Sequence, residues 1–296
     1  MSAVAAREGT IPFRGFETWY RVVGEDTPGK LPLLCLHGGP GSGHDYLEPM
    51  EDLATGRRAI FYDQLGSGRS PAPPDPSRWT IELYLDELAA VREALGLERI
   101  HLLGQSWGGM LALEYMLTRP AGVESLLLCD TLASTPLWIA ETGRLRADLP
   151  ADVRAVLDRC ERDGTTEGQE YQDACQAFSD RHLCRVIPNP DCVKRSLEGM
   201  PNEVYLTMWG PSEFYATGSL RDWDVTDRLG ELELPTLILS GRHDESTPAV
   251  SGALQRGIAG SQWVVFEDSS HVPHVEEPER FLEVVSGFLA QMEAGG

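Results

Sequence analysis

Basic residues are scarce in this chain: 25 Lys and Arg stand against 46 Asp and Glu, a formal charge of -21 over 296 residues. That balance repels phosphate backbones and leaves no basic stripe for nucleic acid, so cationic or neutral small substrates fit it better. No C-x-x-C pair occurs among the six cysteines, which removes a common spacing for thiolate metal sites and dithiol redox centres. Cys35 and Cys129 lie in apolar runs, where thiols pack as small hydrophobes. Cys160, Cys175, Cys184 and Cys192 are near enough in sequence for a local disulfide, but six reduced thiols are expected. No apolar run is long enough to suggest a membrane span. The N-terminal MSAVAAREGTIPFRG lacks a charged segment followed by an apolar one, so the expected location is the cytoplasm.

What is present reads as an alternation. Short apolar runs at residues 31–36, 59–62, 100–103, 125–129, 236–239 and 263–266 have the length and content of buried parallel strands. Between them, residues 80–95, 107–118 and 278–292 carry apolar side chains at three- and four-residue spacing, as amphipathic helices do. Strand-helix-strand repetition predicts a doubly wound α/β fold with a mostly parallel central sheet flanked by helices. From about Thr131 to Leu220 the rhythm breaks, and helical patterns such as ADVRAVLDRC and GQEYQDACQAFSDRHLCR follow one another without a strand. The expectation is a core of residues 1–131 and 221–296, with 132–220 inserted as a helical cap. No heptad or isolated apolar face forces association, so the sequence leaves a monomer open.

The string GQSWG, Gly104 to Gly108, matches the G-x-S-x-G elbow and has the required strand before it and helix after it. Small neighbours let strand and helix approach while a strained Ser106 presents its hydroxyl. The simpler alternative is a serine that caps the helix starting at Trp107. A nucleophile also needs an oxyanion hole, a base and an orienting acid. HGGPGSG, His37 to Gly43, follows a strand where a loop would lend one N–H; Gly39 and Trp107 are the expected donors. A phosphate loop would need a lysine and Ser or Thr where His44 and Asp45 stand. Downstream, SGRHDE and EDSSH end two further strands, and the order Ser106, Asp244, His271 is that of α/β-hydrolases.

Alternatives stay open at this point. Asp130 also ends a strand and could orient the base, or else cap the start of the insertion; His274 could replace His271, or be a partly exposed polar residue. His271-x-x-His274, with His243, Asp244, Glu245 and Glu276 nearby, suggests a metal set, but the spacing and the proline disfavour it. No metal or organic cofactor is expected. Asp63, in DQLGSGRS, reads as a structural tie for the glycine loop.

Taken together, HGGPG, DQLGSGRS, GQSWGG, GRHDE and SSH resemble the prolyl aminopeptidases, or proline iminopeptidases, and related amino-acid amidases of the α/β-hydrolase fold. DRHLCR and MWGPSEF resemble cap segments of that branch. The resemblance implies that Glu213 and Glu245 hold the free α-amino group of a small peptide or amino-acid amide, and that an acyl-enzyme forms on Ser106 after proton transfer to His271. Buried carboxylates need such a cation, which favours an exopeptidase. Proline preference is what the family implies; an amidase with little peptidase activity, or a biosynthetic acyltransferase or tailoring enzyme, would use the same machinery.

Overall fold

Runs too short for a helix and apolar on both faces build the centre of the computed structural model, which describes residues 5–198, 200 and 202–294. The strands are β1 Ala6–Phe13, β2 Phe16–Val23, β3 Leu33–Leu36, β4 Ala59–Tyr62, β5 Ile100–Gln105, β6 Val123–Cys129, β7 Thr236–Gly241 and β8 Gln262–Phe266. They form one sheet in the order β1-β2-β4-β3-β5-β6-β7-β8. From β4 to β8 all neighbours run parallel, while β2 is antiparallel to both β1 and β4. Every residue of β3, β4 and β5 is buried, as helices on both faces require.

The helices are α1 Ile81–Ala94, α2 Trp107–Leu117, α3 Thr135–Ala147, α4 Ala151–Asp163, α5 Gln169–His182, α6 Asp191–Leu197, α7 Glu203–Met208, α8 Pro248–Gly257, α9 Pro273–Glu276 and α10 Pro278–Ala294. Thr80 caps α1 by accepting the Leu83 N–H. None of the described helices is long and apolar enough to cross a membrane. Helix α2 is buried almost all round, and glycine makes that packing fit: a Cβ on Gly108 would stand 2.2 Å from the Leu36 carbonyl oxygen, and one on Gly104 2.2 Å from that of Gly108.

The antiparallel pair β1–β2 departs from the sequence expectation, which begins the sheet at residue 31. Its signal is weak because β1 is mostly exposed and polar, with only Ile11 and Phe13 buried. The turn is nonetheless written as Arg14-Gly15, both at positive φ (47° and 85°), a two-residue hairpin connection.

Helices α3 to α7 lie between β6 and β7. Leu149, Leu157, Tyr171, Phe178 and Phe214 form a small core of their own there. Hydrogen bonds tie this segment to the loops at the sheet's C-terminal edge. Ser134 Oγ donates to Asp224 at 2.6 Å, Thr247 Oγ1 to Glu141 at 2.7 Å, and the Tyr46 N–H to Ser196 Oγ at 2.8 Å. All six cysteines are free thiols.

Candidate active site

Strand β5 ends at Gln105 and α2 begins at Trp107, so Ser106 takes the whole turn. Its backbone sits at φ 54°, ψ -122°, a conformation that costs a non-glycine residue on the order of 1–3 kcal/mol. The surrounding structure fixes it: the Ser106 N–H donates to the Cys129 carbonyl at 3.0 Å, and its carbonyl accepts from Thr131 Oγ1 at 2.7 Å. The side chain makes no capping bond to α2, so the helix-cap alternative fails and the hydroxyl faces the pocket.

Asp244 follows β7 and His271 follows β8. The His271 Nδ1–H donates to Asp244 Oδ1 at 2.7 Å, and the same oxygen accepts the Ser246 N–H at 2.8 Å. Both residues are buried. This bond fixes the tautomer and leaves Nε2 for the pocket that Ser106, Gly39 and Glu213 also line. Burial alone would push the imidazole down, but the charge and hydrogen bond of Asp244, and then Glu213, hold it above the ordinary histidine value.

Neither alternative is hydrogen-bonded to the His271 ring, which pairs with Asp244. Asp130 Oδ1 accepts the Gly241 N–H at 3.1 Å; it does not cap the insertion, because Ser134 Oγ takes that role at α3. His274 is 1% exposed rather than partly exposed. It bonds the Tyr46 carbonyl through Nε2 at 3.0 Å and packs between Tyr46 and Phe281, and burial pushes it down to about 3. A neutral ring locked against a carbonyl is scaffold.

The glycine loop is tied to the histidine by side chains the sequence did not single out. The Gly38 N–H donates to Tyr46 Oη at 2.7 Å, Tyr46 Oη donates to Gln105 Oε1, and Gln105 Nε2 donates to the His271 carbonyl at 3.0 Å. Nothing in the one-dimensional spacing of Tyr46, Gln105 and His271 reveals this chain. His37 accepts the Gln64 N–H at 2.9 Å and donates to the Gly38 carbonyl at 2.9 Å; burial lowers it to about 4, so it stays neutral. Asp63 accepts the N–H groups of His44 and Arg69, each at 2.8 Å, anchoring the loop's far end as expected. Among the described residues, neither the Gly39 nor the Trp107 N–H donates to a carbonyl.

Two acids complete the site. Glu245 is fully buried and neither of its oxygens receives a hydrogen bond among the described residues; Oε1 lies 3.7 Å from His271 Nε2. Burial, Glu213 and Asp244 push its carboxyl well above the usual range. Glu213 comes from the loop after α7 and accepts Tyr205 Oη at 2.6 Å; burial raises it too, against that bond. Tyr205, missed in the sequence, holds Glu213 across an eight-residue gap that carries no periodic signal.

Comparison with known proteins follows the same pattern. Residues 32–278 match the family model of the alpha/beta hydrolase fold. The chain is 43% identical over 289 residues to a proline iminopeptidase of Lactobacillus helveticus, covering 96% of this chain and 98% of that one. The crystal structure of proline iminopeptidase from Mycobacterium smegmatis superposes with a TM-score of 0.89 at 44% identity, covering 98% and 99% of the two chains. That of VinJ superposes with a TM-score of 0.93, also at 44% identity, covering 97% and 99%.

Proposed function

The chain belongs to the α/β-hydrolase family and, within it, to the proline iminopeptidases, and from that premise we infer a serine aminopeptidase that removes one N-terminal residue, proline first, from small peptides. It is a hydrolase. The observation that carries the finer reading is the unpartnered, fully buried Glu245 beside Glu213, with Oε1 3.7 Å from His271 Nε2. Such a pair needs a cation, and its distance from the nucleophile sets how far an α-ammonium sits from the scissile carbonyl.

In this reading His271 takes the Ser106 proton as Oγ attacks the carbonyl of the first residue. The Gly39 and Trp107 N–H groups receive the oxyanion, which the Gly38 N–H, spent on Tyr46, is not free to do. Asp244 steadies the imidazolium, which then protonates the departing amine; water, deprotonated by the same nitrogen, releases the acyl group. Glu213 and Glu245 bind the ammonium and exclude substrates whose amine is acylated. Residues 132–220 act as the cap that brings Glu213 over the sheet edge. The six free thiols support a cytoplasmic location.

The test is a panel of aminoacyl anilides and amides, free and N-acetylated, run beside Ser106→Ala. Turnover of free prolyl anilide, none of its acetylated form, and a loss of roughly 10⁵-fold or more in Ser106→Ala support the reading. Turnover of amides alone would make the protein an amidase, no turnover would point to acyl transfer, and an active Ser106→Ala would remove the serine mechanism altogether.

A further inference from the structure

Beyond the paired ends of β6 and β7, two carboxyl groups meet. Asp130 directly follows β6 at φ 49°, its N–H bonded to the Leu239 carbonyl on β7 at 2.8 Å. Its side chain is thereby turned to the β7 loop, where Oδ1 takes the Gly241 N–H at 3.1 Å and the group lies within hydrogen-bonding reach of Asp244. Both carboxyls are buried. Among the described residues, Asp130 Oδ2 has no donor, and neither does Asp244 Oδ2.

Two bare carboxylates in contact and out of water repel strongly, whereas one proton turns the contact into an O–H···O bond. The surroundings decide which of the two holds it. Asp244 Oδ1 is already the acceptor for two donors, the His271 Nδ1–H and the Ser246 N–H. Asp130 receives only the Gly241 N–H, while burial and the Asp244 charge push its carboxyl well above the usual range. The other titratable groups around it are Glu276 on α9, Tyr46, and the neighbouring Cys129 thiol. None of them is a cation that would hold Asp130 ionised.

We propose that Asp130 is a positioning residue, a neutral carboxylic acid whose O–H donates to Asp244 Oδ2 and so fixes the plane of the carboxylate that orients His271. The inference rests on Asp244 being the triad acid. It explains why a second acid stands where a simple triad needs none: the donor holds Asp244 on both oxygens without adding a second negative charge. A second charge would lift His271 further and hold it as imidazolium at the pH where it must act as a base.

The pH dependence of kcat/KM on a free-amine substrate tests this in Asp130→Asn and Asp130→Ala, alongside Ser106→Ala. Asparagine can accept from Gly241 and donate to Asp244, so it should restore most of what alanine loses and keep the acid limb within about 0.3 pH units of the parent. Alanine should lower kcat by roughly 10- to 100-fold with little change in KM, and move the acid limb upward as Asp244 loses its donor. An acid limb that falls by a unit or more in Asp130→Asn would mean that Asp130 carries a charge, and overturns the proposal. Equal losses in Asn and Ala, or none in Ala, overturn it too; should Ala fail to fold by circular dichroism, the Asn profile decides alone. Only an active Ser106→Ala would instead remove the serine reading on which it rests.

Discussion

Replacing Glu245 with glutamine separates binding from folding in one experiment. Glu245 is fully buried, has no donor on either oxygen among the described residues, and faces Glu213 and Asp244. In the free enzyme it is therefore a cost; with an ammonium in the pocket it becomes a partner. Loss of a charge-assisted hydrogen bond is worth about 1.5–3 kcal/mol, and truncating one side of a desolvated ion pair reaches about 5 kcal/mol. The expected loss in kcat/KM on prolyl anilide is thus about 10²- to 10³-fold. For a substrate analogue without the ammonium, such as the corresponding α-hydroxy ester, the change should stay within about threefold, because the interaction removed was never made.

Stability should move the other way. A carboxyl held above its unfolded value helps the fold at low pH and gives that help up as pH rises through the raised value. The difference in Tm between Glu245→Gln and the parent should therefore be small near pH 5 and grow toward pH 8. Relief of about 1–2 kcal/mol would appear as a gain of about 2–6 °C. Scanning fluorimetry across that range and kinetics on the two substrates are the assays. Equal kinetic loss on both would refute the amine anchor, and a Tm difference that is flat or negative with pH would refute the account of the buried acid.

The acid limb of kcat/KM should lie above the ordinary histidine value, since Asp244 and Glu213 outweigh burial at His271; bound ammonium offsets Glu213, so the limb of kcat should lie lower, and coincident limbs would contradict this. His37 and His274 are buried and neutral, held down at about 4 and about 3. Their depressed values mean that the stability they allow above pH 6.5 is lost as pH falls toward 4, by roughly 3 kcal/mol or more each. Urea midpoints unchanged from pH 7 to pH 4.5 would refute that. Gly108→Ala should destabilise the protein by about 3 kcal/mol or more, because its Cβ meets the Leu36 carbonyl at 2.2 Å and backbone cannot step aside; a normal denaturation curve would remove the close-approach argument.

Local signals carried the frame of the site. A strand, a glycine, a serine, a glycine and a helix are contiguous, so the turn at Ser106 was legible, and so were the loops after β7 and β8 that bring Asp244 and His271 into a hydrogen bond. The parallel strands were legible because each is apolar on both faces. Strand β1 was not, since an edge strand with five of its eight residues exposed writes only a faint alternation. The burial of His274 is hidden from the sequence for a related reason: histidine is polar by type, and only the packing of Tyr46 and Phe281 shows why it is buried.

The acids mark the limit of such reading. Asp130, Glu213, Asp244 and Glu245 come from three loops, and each alone is an ordinary surface residue by composition. Their meaning arises when the parallel register sets Cys129 beside Leu239, so that the residues just beyond both strands converge, and when the inserted helices bring Glu213 over the same edge. Carboxyls crowded in this way cannot all be charged. One is fixed by His271, one has the surroundings of a protonated donor, and Glu213 and Glu245 are the two that the proposed function gives to the substrate's ammonium. The division follows from which donors each meets, and that is decided by strand order and turn geometry, which a residue's position in the chain does not encode.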